Sequence, residues 1–252
     1  MSAEKTRAFI LRTIPYRESS CILHLFTEEH GLIHGIAKGI RRKTARRDII
    51  ERGYHIELIV YNKTTRDLHT VSAIHVIEYY PLVRSNLIKS ALRDAAFEMV
   101  LAAITVTDVH PDLYTFFHRF LTYLDSAPEK ECHPFALWLF CHRFSQHLGF
   151  GLDLQHCITC GGTLTQDAVL ILHRGGLECE KCTRESHERF RLPGIVISYL
   201  RHGTPKPAQL RTTLLPKDLK KCTFLLTDYC RYHFDTQKEY KALAFLNDMA
   251  GW

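Results

Sequence analysis

Apolar and polar residues alternate along most of the first 80 residues, β-branched and aromatic types are frequent, and no helix-length periodic segment interrupts them. A period of two puts successive side chains on opposite faces, which is the pattern of half-buried strands. Five such segments can be marked, at about 6–13, 20–27, 32–38, 54–61 and 68–78. Glu28-Glu29-His30-Gly31 supplies a turn between the second and third, and Asn62-Lys63-Thr64-Thr65-Arg66-Asp67 one between the fourth and fifth. Five short strands without long helices between them bury a face most simply by closing on themselves. The expectation is a small barrel, of the oligonucleotide-binding (OB) or the SH3-like kind.

After Pro81 the period changes. Leu87, Ala91, Phe97, Leu101 and Ile104 give a helical stripe over about 86–105, a second helix follows Pro111-Asp112 to Leu124, and a third runs from near Pro134 to Gly149-Phe150-Gly151. Residues 152–190 are turn-rich and short-stranded. Helical patterns return at about 194–202, 216–233 and 239–249, the second opening on Pro216. The expected architecture is therefore α+β: a barrel domain over 1–80, then an all-α domain over 81–252 that contains an inserted module at 152–190. A hydrophobic fraction of 46% in 252 residues is enough for both cores.

The inserted module carries Cys157-x-x-Cys160 and Cys179-x-x-Cys182, with 18 residues between the pairs. Two residues between cysteines let one tight turn aim both sulfurs at a single ion, and two such turns complete a tetrahedral thiolate set. One structural zinc per chain is expected at Cys157, Cys160, Cys179 and Cys182, with no open position for catalysis. The other five cysteines, Cys21, Cys132, Cys141, Cys222 and Cys230, are scattered and make an odd total, which suits a reducing cytosol. Neither a signal peptide nor a membrane-spanning stretch is visible, so the expected location is the cytoplasm, in association with the nucleoid.

Between the third and fourth strand segments lies Lys38-Gly39-Ile40-Arg41-Arg42-Lys43-Thr44-Ala45-Arg46-Arg47, six cations and no acid in ten residues. Residues 1–80 hold 13 Lys and Arg against nine Asp and Glu, net +4, while the rest of the chain is net +2. Six crowded cations repel one another unless a polyanion relieves them, so Lys38, Arg41, Arg42, Lys43, Arg46 and Arg47 are candidate phosphate contacts. Tyr54 and Tyr61 lie near the run in sequence. Each read alone is strand filling; together with the cations they are candidates for stacking on bases.

His55-Ile56-Glu57 imitates the His-x-Glu of zinc deaminases, but neither cysteine pair follows a proline, and His55 and Glu57 read as one face of a strand. No Gly-x-x-x-x-Gly-Lys-Ser/Thr loop and no Gly-x-Ser-x-Gly elbow occurs. No catalytic residue stands out, and a binding protein rather than an enzyme is expected. A nucleic-acid binder could be directed to DNA, or to RNA as a ribosome-associated OB protein with a structural zinc ribbon.

The order of these parts resembles the bacterial recombination mediator family RecO. The resemblance rests on Tyr16-x-Glu18, Leu25-Phe26-Thr27-x-x-x-Gly31 and Ala37-Lys38-Gly39-x-Arg41-Arg42, then on Cys157-x-x-Cys160-Gly161 and Gly175-Gly176-x-x-Cys179-x-x-Cys182. It implies an N-terminal OB domain, a helical C-terminal domain and a zinc module. It further implies binding of single- and double-stranded DNA, annealing of complementary strands without ATP, and assistance to RecA on DNA coated with single-strand-binding protein. RecR and the C-terminal tail of single-strand-binding protein are the implied partners. The run Lys43-Thr44-Ala45-Arg46-Arg47-Asp48 departs from the small polar residue often found there, and the C-terminal helices match loosely.

Overall fold

A computed structural model describes residues 2–40, 50–62, 68–106, 108–183, 190–234 and 240–249. The chain divides into two compact units, one made of residues 1–93 and 100–125, the other of residues 94–99 and 126–252.

The first unit is built on five strands, β1 (Ser2–Tyr16), β2 (Ser20–Thr27), β3 (Gly31–Ala37), β4 (His55–Asn62) and β5 (Leu68–Glu78). They close in the order β1-β2-β3-β5-β4, with β3 and β5 parallel and every other pair antiparallel. That closure is the OB arrangement. β1 is long because it serves two neighbours, pairing with β4 from Ser2 to Phe9 and with β2 from Ala8 to Tyr16, across an irregularity at Ile10/Arg12.

The inward positions follow the period of two. Ala8 and Ile10, Leu23 and Leu25, Ile33 and Ala37, and Tyr54, Ile56, Leu58 and Val60 fill the barrel with Val71. Gly35 stands between Ile33 and Ala37, where a Cβ would lie 2.7 Å from Val71 Cγ1, so the neighbouring strand occupies the volume a side chain would need. At the β2–β3 turn Thr27 Oγ1 donates to the Gly31 carbonyl at 2.8 Å and accepts from His30 N–H at 3.0 Å, and Gly31 takes φ 64°.

Phe9, Leu11 and Phe26 do not share the parity of the barrel interior, yet all are fully buried. Phe9 and Phe26 are covered by helix α3 (Pro111–Ser126), which follows the short α1 (Pro81–Ser85) and α2 (Leu87–Ala103). Phe117 of α3 meets Phe9 edge-on at 5.1 Å and Phe26 at 5.8 Å, and Tyr114 packs beside both. Asn86 caps α2 by accepting from Lys89 N–H at 2.9 Å. The first unit thus reaches beyond residue 80: the switch of period at Pro81 marks a change of secondary structure within it.

The second unit contains α4 (Glu129–Cys132), α5 (Phe135–His147), α6 (Gly194–His202), α7 (Pro207–Thr213), α8 (Pro216–His233) and α9 (Lys241–Met249). Buried Trp138 of α5 donates from its indole N–H to Thr223 Oγ1 of α8 at 2.8 Å. Between α5 and α6 lies a four-stranded sheet of order β6-β8-β7-β9, from β6 (Asp153–Cys157), β7 (Ala168–Ile171), β8 (Gly176–Cys179) and β9 (Arg191–Leu192). All four residues of β7 are buried. His233 of α8 ties the module down through the Leu172 carbonyl at 3.1 Å, and Tyr229 bonds the carbonyl of Phe150, just before it, at 2.7 Å. No helix among the described residues is long and apolar enough to cross a membrane.

Candidate nucleic-acid interface and metal centre

Of the six cations singled out in the sequence, Lys38 lies in the turn after β3 and is exposed. Arg41, Arg42, Lys43, Arg46 and Arg47 lie outside the described residues. Ile40 and Ile50, which flank these residues in sequence, both pack against the barrel core. In sequence the basic run lies between β3 and β4.

Tyr54 requires a correction. The residue is 7% exposed and belongs to the barrel core, in step with Ile56, Leu58 and Val60. Arg84 covers it, with the guanidinium carbon 5.1 Å from the ring centroid and Nη1 bonded to the hydroxyl, and Arg84 is itself paired with Glu51 at 2.6 Å. Burial leaves no face of Tyr54 for a base. Tyr61 has the opposite parity, is half-buried, and sits across from Ala3 and Thr70 on β4.

The barrel wall offers other aromatic surface. His24 and His34 are directly paired across β2 and β3 with ring centroids 4.3 Å apart, and Arg12 lies opposite His24 on β1. Burial, then the neighbouring His34 and Arg12, push the His24 pKa down to about 4, so it is a neutral ring near pH 7. The sequence alone gave no reason to single these histidines out. Their pairing depends on the β2–β3 register. Elsewhere on the barrel the cations Lys5 and Arg7 are engaged by Glu57 and Glu28 at 2.8 and 3.1 Å.

The four cysteines come together as the spacing requires. β6 and β8 run parallel, with Cys157 opposite Leu177, and this places the two Cys-x-x-Cys turns side by side. All four sulfurs lie within 4.8 Å of one another, and Cys160 Sγ is 3.8 Å from Cys179 Sγ. A tetrahedron with metal–sulfur bonds of about 2.3 Å has edges of about 3.8 Å, so the cluster already has the dimensions of a metal–thiolate centre. In the first turn Gly161 N–H donates to the Cys157 carbonyl at 2.8 Å with φ 71° at the glycine; in the second, Cys182 N–H donates to the Cys179 carbonyl at 3.0 Å.

The electrostatics favour a cation. Cys157 is buried, which opposes ionisation, but the backbone N–H groups of Cys179, Cys160 and Thr159 outweigh that and bring its thiol down to about 6. Cys182 is pushed up to about 12, chiefly by its contacts with Cys160 and Cys179. One thiol, Cys157, ionises readily while Cys182 resists a second negative charge, a conflict that a bound metal ion resolves. Beside the first turn, Arg174 Nη2 donates to the Ile158 carbonyl at 2.9 Å, and its Nη1 meets Glu178 Oε1 at 3.2 Å, which also accepts from Thr159 Oγ1 at 2.6 Å. This brace escaped the sequence reading, although Arg174 and Glu178 flank Gly175-Gly176.

Comparison with known proteins bears on both sites together. Residues 1–80 match the family model described as recombination protein O N terminal, and residues 84–239 match recombination protein O C terminal. A protein of Prosthecochloris aestuarii named DNA repair protein RecO is 27% identical over 244 residues, covering 92% of each chain. Proteins of the same name are 26% identical in Chlorobium luteolum, covering 97% of this chain and 98% of the relative, and 28% identical in Geobacter metallireducens, covering 73% and 74%.

Proposed function

The chain belongs to the RecO family of DNA repair and recombination proteins, and on that premise we propose that it is a recombination mediator that grips the backbone of single- and double-stranded DNA. The observation that carries this reading is the placement of a run of six cations on the β3–β4 connection of an OB barrel. Lys38, Arg41, Arg42, Lys43, Arg46 and Arg47 neutralise phosphates and release condensed counterions, with little regard to sequence. Tyr61 and the His24–His34 pair offer aromatic surface for stacking.

Annealing follows from that grip without ATP or a chemical step. A cationic surface that holds two complementary strands lowers their mutual repulsion and raises their local concentration. No catalytic residue is needed. In the cytoplasm, on nucleoid DNA, the protein works on strands coated with single-strand-binding protein, engages that protein's C-terminal tail, and acts with RecR to admit RecA. Zinc at Cys157, Cys160, Cys179 and Cys182 holds the small sheet together, since an all-thiolate tetrahedral site suits zinc and leaves no open coordination position.

The test is annealing of two complementary labelled oligonucleotides, each coated with single-strand-binding protein, without ATP. The wild type accelerates the reaction, and a variant with Arg41, Arg42, Arg46 and Arg47 all changed to Ala does not. If all four contact phosphate, the slope of log affinity against log salt flattens by up to about 2.8 on single strands. An unchanged slope would place the DNA elsewhere; no acceleration by the wild type would remove the mediator reading.

A further inference from the structure

Three side chains distant in sequence meet at one end of the barrel in the first unit. His55 opens β4, Glu78 closes β5 and His118 projects from α3, and one donor atom from each lies within 4.8 Å of the others. We propose that His55, Glu78 and His118 form a second metal site, a two-histidine, one-carboxylate centre for a divalent first-row transition metal such as zinc. It is separate from the cysteine cluster, which belongs to the other unit.

The backbone is arranged to make this meeting happen. Ile56 pairs with Val76, so a regular antiparallel ladder would set Ile77 opposite His55. An irregularity places Glu78 there instead and leaves Ile77 49% exposed. Bulges of this kind re-aim side chains next to functional sites. The same irregular start of β4 accompanies the separation of His55, which is buried, from Glu57, which faces Lys5. The two residues read from the sequence as one face of the strand thus differ in burial.

α3 supplies both the ligand and its support. Tyr114 and His118 are four residues apart and share a helix face. Tyr114 Oη is 2.8 Å from His55 Nε2, while His55 Nδ1 is buried with no hydrogen-bond partner. A ligating histidine is usually fixed through its other ring nitrogen, and Tyr114 fills that role, leaving Nδ1 for the ion. Phe9 stacks on the His55 ring at 4.5 Å and holds its plane.

The dimensions fit. His118 Nε2 lies 3.4 Å from Glu78 Oε2, long for a hydrogen bond but equal to the edge of a tetrahedron with metal–ligand bonds of about 2.0–2.1 Å. The positive charge of nearby Arg7 is met by Glu28 at 3.1 Å. His118 and Glu78 are 42% and 36% exposed, so an ion can enter from solvent. Three protein ligands leave a position for water, and the ion would clamp β4 and β5 to α3.

The test titrates the full chain with Co2+, following stoichiometry by equilibrium dialysis and geometry by visible absorption. The wild type is expected to bind one more ion per chain than either His118→Ala or Glu78→Gln. Affinity for that ion should fall at least about 100-fold in each variant. The extra ion should show ligand-field bands without thiolate-to-metal charge transfer, and should raise the melting temperature of the wild type alone. Because the readout is a difference of one ion, it stands whether or not the cysteine cluster is loaded. Both altered side chains are partly exposed, and equal melting without metal shows that the variants fold. Equal stoichiometry in all three proteins, or an extra ion with thiolate bands, would overturn the proposal.

Discussion

Cys157→Ser is the sharpest perturbation of the cysteine cluster. Cys157 is 2% exposed, and its sulfur receives the N–H groups of Cys179 at 3.3 Å and Thr159 at 3.5 Å, so both turns converge on this one atom. The sheet it closes is small: β6, β7, β8 and β9 have five, four, four and two residues. A structural zinc contributes roughly 10–16 kcal/mol to the folding of small modules at neutral pH, so one thiolate of four carries about 3–4 kcal/mol. For a unit of this size each kcal/mol moves the melting temperature by roughly 3–5 °C, and the second unit should melt about 10–20 °C lower. Calorimetry and metal analysis on the same samples provide the check, with Cys21→Ser, in the barrel, as a control that keeps its metal. Metal lost without a change in melting would show that the cluster does not support the fold. A metal content equal to that of the wild type would show that Cys157 is not a ligand.

Two further outcomes concern the helices of the second unit. Thr223→Val keeps the shape of the side chain but strips the acceptor from the buried Trp138 indole, and should cost about 1–3 kcal/mol in urea unfolding; in a Trp138→Phe background, with no donor left to orphan, the same change should cost close to nothing. Equal costs in both backgrounds would refute the hydrogen bond. Burial, with Arg211 beside one and Arg143 beside the other, lowers the pKa values of His133 and His142 from 6.5 to about 4. Between those values the unfolded chain holds protons that the folded chain refuses, so this stability is intact above pH 6.5 and is lost as the pH falls toward about 4. The slope should reach up to about 1.4 kcal/mol per pH unit for each histidine, and His142→Gln should remove one share of it. A slope unaltered by that change would mean that His142 is not a source of the acid sensitivity.

What could be read in the sequence was whatever is fixed by neighbours along the chain. The barrel strands declared themselves because one wall of each faces a dry interior, and the parity that runs through Ile56, Leu58 and Val60 also marks Tyr54 as interior. The same parity sets Tyr61 apart. The two Cys-x-x-Cys turns were legible because each is a local device, and their meeting needed only a short sheet between them. Helices α1, α4 and α7, of five, four and seven residues, passed unnoticed because two turns or fewer cannot display a period. The extent of the first unit was hidden for a different reason. Phe9, Leu11 and Phe26 interrupt the alternation, and a strand whose outer face is also apolar calls for a second cover, but nothing local says which helix provides it. Phe117 and Tyr114 answer only once α3 is laid on the barrel. The His55, Glu78 and His118 cluster depends on that same docking and on a register shift at Ile77. A site whose members sit on two strands and a distant helix leaves no spacing to recognise, so its legibility begins with tertiary contact.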